Sequence, residues 1–299
     1  MIFACCHPSI PEESQIALSL RTLCGLSVQE IAKAFLTTDD TIAKRIYRAK
    51  EKIIQDGVEL DVPTAGQLQS RLDVVLNVLY LLFNEGYNSS HPDELIRKDI
   101  CAEAMRLCYL VTQHPLTKVP PANALLALMC FQSSRLMSRI DDKGNIITLK
   151  YQDRKTWNQG LINKGRDYLD RAAEGNGFSV YHLEAAIAGL HASSPSFDET
   201  DWKSVYDLYE ILYELKPSPV VALNKAIASS YAISRQSALE QLTRIRGLEK
   251  HYLYYAALGE VCLELGRARE AREHFERAMT LTTSNTEKLF LQEKIFQAG

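Results

Sequence analysis

The sequence is poor in several features, and each shortage excludes a class of protein. Glycine and proline number only 14 and 10 in 299 residues, too few for a loop-rich, all-β chain of this length. No apolar run approaches the roughly 18 residues of a membrane span, and the longest candidate, residues 74–83, is interrupted by Asn77. The N-terminus has no positively charged segment ahead of an apolar run, so we do not expect it to be a secretory signal. We therefore expect a cytoplasmic protein that does not enter a membrane.

Cysteine usage and net charge narrow the class further. The seven cysteines are an odd number, scattered without a paired framework, which is typical of reduced thiols in a cytoplasm. The composition, 46% hydrophobic and 24% charged, is ordinary for a soluble globular protein and excludes a disordered chain. A net charge of −3 gives no general attraction to nucleic acid, so any basic patch must be local.

Almost every periodic stretch has the helical period, which predicts an all-α fold with about fourteen helices. Two examples are apolar residues at steps of three and four: Leu72, Val75, Leu76, Leu79 and Phe83, and Leu208, Ile211, Leu212 and Leu215. Strand signals are almost absent. The exception is 140–149, where a polar turn precedes β-prone residues, and we expect a short extended or hairpin insertion there.

The clearest division lies after residue 57. Gly57 is expected to cap a polar helix, and Pro63 and Gly66 punctuate a short linker. We predict a small first domain followed by a linker, a helical extension and a repeat region, over residues 1–57, 58–66, 67–215 and 216–299.

The first domain has room for three helices. A first helix is expected to run from Pro11 to Leu23 and to be closed by Gly25. Ser27 and Glu30 have the spacing of a capping box at the start of a short second helix, 28–35. A third helix, 41–55, follows a tight turn. This order is typical of a helix-turn-helix.

The third helix has two distinct faces. At about 100° per residue, one narrow wedge is apolar and must face a core: Ile42, Ile46, Ala49 and Ile53. A separate flank gathers the predicted DNA-binding residues: Thr41, Lys44, Arg45, Arg48 and Lys52. Such a helix suits the major groove of DNA. The alternative is a solvated, salt-bridged surface helix, but its place after a capped helix and a turn favours DNA.

These residues carry a family resemblance. The sequences GLSVQEIA at 25–32 and DTIAKRIYRAK at 40–50 resemble the C-terminal DNA-binding domain of extracytoplasmic-function sigma factors. The resemblance implies that the third helix reads the −35 promoter element and that the domain docks on the flap of RNA polymerase. Arg45 and Arg48 match basic positions of the family pattern, whereas Thr41 and Lys44 are candidate contacts by geometry.

Further motifs resemble the subgroup with a long helical C-terminal extension: CCHP at 5–8, FNEGY at 83–87, QDRKTW at 152–157 and PSPVVALNKA at 217–226. Such sigma factors begin with another domain, which binds the polymerase clamp and melts the −10 element. This sequence starts at the second domain. We therefore expect a truncated sequence or a shortened gene, and a chain that does not support initiation alone.

The C-terminal region is similar to a tetratricopeptide repeat. Its pattern places small residues at Gly259 and Ala271, a turn at Gly266, and Phe275 between two antiparallel helices. A more degenerate pair is expected from 217 onwards. Such solenoids present a concave groove, which here would take a peptide, another protein or the sigma domain itself. The alternative is packing without a partner.

The remaining motifs give weaker hypotheses. Cys5, Cys6 and His7 lack a second ligand pair at zinc-finger spacing, so no metal site is expected. Gly86 is expected to end a helix as its left-handed cap. A possible interaction or structural motif consists of Gln152, Asp153, Arg154 and Trp157. In it Asp153 either pairs with its neighbour or caps a helix, and the tryptophan anchors the insertion, with a partner contact as the alternative.

The sequence thus predicts an all-α protein, a sigma-like helix-turn-helix followed by a tetratricopeptide-like array. Its expected partners are promoter DNA and RNA polymerase, with no cofactor and no catalysed reaction. One alternative is an interaction scaffold whose helix-turn-helix no longer binds DNA. Another is an enzyme with an all-helical site, disfavoured because no nucleophile elbow or phosphate-binding loop occurs.

Overall fold

The structure, a computed structural model, describes residues 1–58, 63–89, 91, 94–175 and 177–299. Within these ranges it contains fifteen α-helices, three short 3-10 turns and no strand, so the predicted all-α class is confirmed. A single antiparallel bridge joins Ile140 to Ile146 in the described chain. This bridge confirms the short hairpin predicted at 140–149.

The chain forms two compact units, residues 1–133 with 167–177, and residues 134–166 with 178–299. The helices up to the division of the chain are α1 (Ile2–Cys5), α2 (Glu12–Thr22), α3 (Val28–Ala34), α4 (Asp39–Gln55), α5 (Ala65–Tyr87), α6 (Lys98–Gln113) and α7 (Pro120–Ser134). The next helix, α8 (Gln159–Ala173), is divided between the units.

The first unit is built on two strongly apolar helices. All five apolar residues predicted to line one face of α5 are buried. Helix α7 is buried along nearly its whole length, from Ala122 to Phe131. A helix that is apolar on every side must lie inside a core, and α7 occupies that place in the first unit.

The first unit extends well past the boundary predicted at residue 57. Arg71 of α5 donates to the carbonyl oxygen of Phe3 at 2.9 Å. The Arg97 guanidinium contacts the Glu30 carboxylate at 2.6 Å. Helix α5 also packs against α1, α2 and α3. The division at residue 57 remains a prediction, and part of the predicted linker, 59–62, lies outside the described residues.

Gly86 corrects one expectation. It lies inside α5 and does not have the positive φ of a left-handed cap, so that prediction was wrong. A Cβ atom at this position would lie 2.7 Å from the backbone nitrogen of Cys101. The glycine therefore allows α6 to approach α5 closely.

The second unit is a succession of helices in which each packs against the next. They are α9 (Val180–Ser193), α10 (Trp202–Leu215), α11 (Pro219–Ala232), α12 (Arg235–Arg244), α13 (Tyr252–Glu264), α14 (Ala268–Leu281) and α15 (Asn285–Gln297). Three 3-10 turns precede α8: Leu136–Arg139, Leu149–Tyr151 and Arg154–Thr156.

The α13–α14 pair has the predicted close packing. A Cβ atom on Gly259 would lie only 2.5 Å from Cε1 of Phe275, whose side chain is fully buried. Gly266 turns the chain between the helices with a φ of 74°. These contacts confirm the roles predicted for both glycines and for Phe275, while the tetratricopeptide-like character of the array remains a prediction.

Candidate nucleic-acid interface

The entrance to the helix-turn-helix is a capping box. The Ser27 hydroxyl accepts from the backbone nitrogen of Glu30 at 3.2 Å, and the Glu30 carboxylate accepts from the backbone nitrogen of Ser27. Gly25, with a φ of 72°, turns the chain after α2. Both features confirm the sequence prediction and fix where α3 begins.

The turn between α3 and α4 has an uncommon backbone. Leu36 has a φ of 51°, a left-handed conformation found at no other non-glycine residue in the described ranges. The Thr37 backbone nitrogen donates to the carbonyl oxygen of Ala32 at 2.9 Å, and Thr38 then caps α4 by accepting from the Thr41 nitrogen at 3.3 Å. These bonds form a compact turn of the kind that joins two helices in this motif.

Helix α4 is held by the apolar wedge predicted for it. Ile42, Ile46 and Ala49 are buried, whereas Ile53 is only half-buried. The helix packs against α2 and α3 through this wedge. Its basic flank therefore points away from the core, with Lys44, Arg48 and Lys52 exposed.

The five residues of the basic flank differ in what they contact. Lys44 pairs with Asp40 at 2.6 Å, and Lys52 pairs with Asp56 at 2.9 Å. The Thr41 hydroxyl lies 2.8 Å from the hydroxyl oxygen of Thr38. The Arg48 guanidinium has no ion pair or hydrogen bond to any described residue, so its charge is available to a ligand.

Arg45 is held differently from the exposed cations. It is half-buried, forms an ion pair with Glu13 of α2, and lies over the Phe35 ring with 5.5 Å between guanidinium carbon and ring centroid. Sequence reasoning missed both partners, because each lies far from Arg45 along the chain. Asp40 and Asp56 were missed too, although their spacing of four residues from each lysine was a readable signal.

The charge of the whole segment is balanced. Residues 1–57 contain seven arginine or lysine and seven aspartate or glutamate side chains. The positive potential is therefore confined to the flank of α4 and is reduced there by the local carboxylates. Phosphate contacts depend on such local charge, since affinity for DNA comes largely from displaced counterions.

Glu30 links the capping box to the rest of the first unit. Burial opposes its ionisation, but the hydrogen bonds from Ser27 and the charge of Arg97 prevail and lower the pKa of the carboxyl group. The carboxylate therefore stays charged at pH values below the usual pKa range of a glutamate. It connects α3 to the segment ahead of α6.

The predicted motif at 152–157 lies in the second unit. Asp153 accepts from the Lys155 backbone nitrogen at 3.0 Å, so it caps the last 3-10 turn. Gln152 donates to the carbonyl oxygen of Ile147 at 2.8 Å, and Trp157 is buried. These contacts lie within the protein, and both the structural role and the partner contact of the motif remain predictions.

The cysteine cluster near the N-terminus is buried. Burial raises the pKa of the Cys6 thiol to about 11, so it is protonated at neutral pH. None of the seven cysteines forms a disulfide. In the part of the chain that the structure describes, no group of three or more cysteine, histidine or carboxylate side chains is placed to hold a metal ion.

Comparison with known proteins agrees with this geometry. Residues 1–53 match sigma-70 region 4, a helix-turn-helix domain of transcription factors. Residues 71–173 match a family of unknown function, DUF6596. The first match covers α1 to most of α4, so it includes the capping box, the turn and the basic flank.

The similarity to one relative covers almost the whole chain. An uncharacterized protein of Rhizobium meliloti (strain 1021) is 36% identical over 296 residues, which is 99% of this chain and 70% of the relative. The chain therefore belongs to the same family as this protein, with a sigma-70 region 4 segment at its start. None of the helices in the described ranges is long and apolar enough to cross a membrane.

Proposed function

We propose that the protein recognises the −35 element of promoters through α4 and regulates transcription initiation as the C-terminal part of an extracytoplasmic-function sigma factor. The observation that supports this proposal is the basic flank of α4, held outward by Ile42, Ile46 and Ala49 within the sigma-70 region 4 segment. The DNA contacts are Thr41, Lys44, Arg45, Arg48 and Lys52, with Arg48 first among them because it has no other partner in the described chain.

The other proposed activities of the chain are protein binding and regulation, not catalysis. The region 4 domain docks on the flap of RNA polymerase, and the helical extension is a cis-acting regulatory module. Its tetratricopeptide-like helices bind a peptide or protein in their groove. The protein works in the cytoplasm and catalyses no reaction. The succession of helix pairs from α11 to α15 supports the interaction role.

Charge balance in the region 4 segment shapes the expected affinity. Since Lys44 and Lys52 already pair with carboxylates, DNA must displace Asp40 and Asp56 to use both lysines. Binding to DNA alone is expected to be weak and strongly dependent on salt. Polymerase, by holding the domain near the promoter, supplies the remaining affinity through effective concentration.

The test uses the full chain, because Arg71 and Arg97 tie the helix-turn-helix to the rest of the first unit. Duplexes selected from a randomised pool are titrated by fluorescence anisotropy at two salt concentrations. The decisive variant is Arg48→Ala, and its matched control is Lys50→Ala. Lys50 is an exposed cation on the same helix, about 160° around its axis from Arg48.

Arg48→Ala is expected to weaken binding several-fold and to reduce the salt slope by about one. Lys50→Ala should leave both quantities near the wild-type values. Equal effects of the two substitutions would show that binding is non-specific attraction. If no duplex is enriched and no binding occurs at low salt, the proposal fails and the scaffold alternative replaces it.

A further inference from the structure

The second unit contains a group of buried and half-buried side chains that the proposed function does not use. We call it the arginine–tryptophan cluster, made of Arg135, Arg154, Trp157 and His191. The guanidinium carbons of the two arginines lie 5.7 and 5.1 Å from the centroid of the Trp157 ring. The His191 ring in turn contacts Trp202, with 5.2 Å between centroids. Both tryptophans of the protein therefore lie in or beside the cluster.

Arg154 is buried and donates hydrogen bonds to the C-terminal end of α9. One terminal nitrogen donates to the carbonyl oxygens of His191 and, at 3.2 Å, of Ser194, and the other donates to the Thr200 hydroxyl at 3.0 Å. A cation at the C-terminus of a helix is stabilised by the helix dipole. These contacts involve no carboxylate, so they offset only part of the arginine charge.

The positive charge of Arg135 is offset even less by neighbouring groups. It is partly exposed and, among the residues that the structure describes, its guanidinium forms neither a hydrogen bond nor an ion pair. Its charge acts on Arg154, since burial and then the repulsion by Arg135 lower the pKa of the Arg154 guanidinium. Both arginines thus lie over the Trp157 ring without an acidic partner in the described chain, and a buried charge without a counter-charge is costly.

His191 supplies no further charge. Burial, followed by the repulsion of the two arginines, lowers the pKa of its imidazole to about 3. The ring is therefore neutral at physiological pH. It can donate or accept one hydrogen bond through a free nitrogen without adding to the local repulsion.

The unsatisfied atoms of the cluster define the kind of ligand that it fits. Four buried nitrogens have no hydrogen-bond partner: Nε of Arg135, Nε of Arg154, Nε1 of Trp157 and Nδ1 of His191. The first three can only donate, and buried donors are normally satisfied. A ligand of these three donors must accept hydrogen bonds, and the excess positive charge favours a negative one.

We infer that the arginine–tryptophan cluster binds a small oxyanion through carboxylate or phosphate oxygens, admitted on the partly exposed side of Arg135. Arginine suits either ligand because its planar fork matches their oxygens. Trp157 forms an apolar wall that strengthens these charge-assisted bonds by excluding water. The site lies wholly within the second unit and does not depend on DNA binding.

The test titrates the full chain with inorganic phosphate and, separately, with acetate, at constant ionic strength. Tryptophan fluorescence reports on the cluster, because both tryptophans are there. The variants are Arg135→Gln, which removes the charge, and Arg135→Lys, which keeps it. The matched control is Arg277→Gln, since Arg277 also lies over an aromatic ring, 5.8 Å from the centroid of Tyr255.

For the wild type and Arg277→Gln we expect a saturable fluorescence change. The unfolding midpoint should also rise by roughly 4 °C at about ten times Kd. Arg135→Gln should weaken binding about tenfold or more, and Arg135→Lys should retain part of it. A response to phosphate alone or to acetate alone supports the site and identifies the oxyanion.

Two results would overturn the inference. One is the absence of a saturable response to either anion, which would mean that water satisfies the four nitrogens. The other is a response that Arg135→Gln leaves unchanged, which would place the anion elsewhere. Arg135→Lys keeps the test decisive if Arg135→Gln does not fold. A lysine variant that folds but binds as weakly as the glutamine variant would also contradict the charge argument.

Discussion

Helices α4 and α14 are both the second member of a helix pair, and both carry a charged outer face, yet they handle that charge differently. On α14 acids and bases are interspersed, with Arg269 paired to Glu273 and Arg272 to Glu276, each four residues apart. On α4 the acids Asp39 and Asp40 come first, and five of the six charged residues from 44 to 52 are cations.

The contrast separates a solvated face from a candidate ligand face. Helix α14 shows what the solvated, salt-bridged alternative looks like in this protein, since most of its charges neutralise one another. Helix α4 departs from it at Arg48, which has no partner in the described chain. The amount of charge on a helix is therefore less informative than the order of its signs.

The inner faces differ as well, and Gly259→Ala should break the tighter pair. The new Cβ would overlap the buried Phe275 ring, because the two lie 2.5 Å apart. We expect the free energy of unfolding of the second unit to fall by about 2–3 kcal/mol. Urea unfolding followed by tryptophan fluorescence measures it, since Trp157 and Trp202 both belong to this unit.

Gly66→Ala is the control for that substitution. Gly66 is also helical, but a Cβ atom there meets nothing within 4 Å. Circular dichroism should show no loss of stability, and a gain of up to about 1 kcal/mol is expected from the better helix former. An equal loss in both variants would contradict the close approach of α13 and α14.

The α3–α4 pair is tested at the cap with which α3 begins. Ser27→Ala removes the acceptor for the Glu30 nitrogen and should lower the free energy of unfolding of the first unit by about 1 kcal/mol. Unfolding followed by hydrogen exchange of α3 amides measures it. Ser234→Ala, at the cap of α12 in the second unit, should leave α3 exchange unchanged.

Glu30 makes the stability that this cap contributes depend on pH. Because its pKa is lowered in the folded protein, its contribution is fully present above the unfolded pKa of about 4.3. That contribution is lost as the pH falls through the lower, folded value. The stability difference between wild type and Glu30→Gln should therefore shrink with acid below about pH 4. A constant difference would exclude ionisation as its cause.

Local rules predicted much of this structure from sequence. The capping box, the α4 wedge and the α13–α14 contact follow from spacings within one or two helices. The prediction for Gly86 was wrong because a glycine near a helix end is typical of a cap. What this position requires is room for the backbone of Cys101, which lies on another helix. Arg135 and Trp157 were not connected for the same reason, since their contact joins segments with no shared periodicity.

Neutralising the acids that pair with Lys44 and Lys52 should increase the difference in available positive charge between α4 and α14. Asp40→Asn and Asp56→Asn free Lys44 and Lys52 from their ion pairs. Exposed pairs at this spacing are worth roughly 0.3–0.5 kcal/mol, so each substitution should tighten DNA binding about twofold, measured by anisotropy. Glu273→Gln frees Arg269 in the same way on α14 and should not alter DNA binding. A gain there would mean that net charge, not the α4 face, governs the affinity.

An effect of similar, small size is expected at the turn between α3 and α4. Leu36 is exposed and has a left-handed φ of 51°, where a side chain is strained and glycine is not. Leu36→Gly should raise the free energy of unfolding of the first unit by about 0.5 kcal/mol, the relief of strain exceeding the added entropy of the unfolded chain. Leu36→Ala removes the same side chain but keeps the strain, so it should show no gain. If alanine stabilises as much as glycine, the exposed leucine itself, rather than its backbone, limits the stability of this turn.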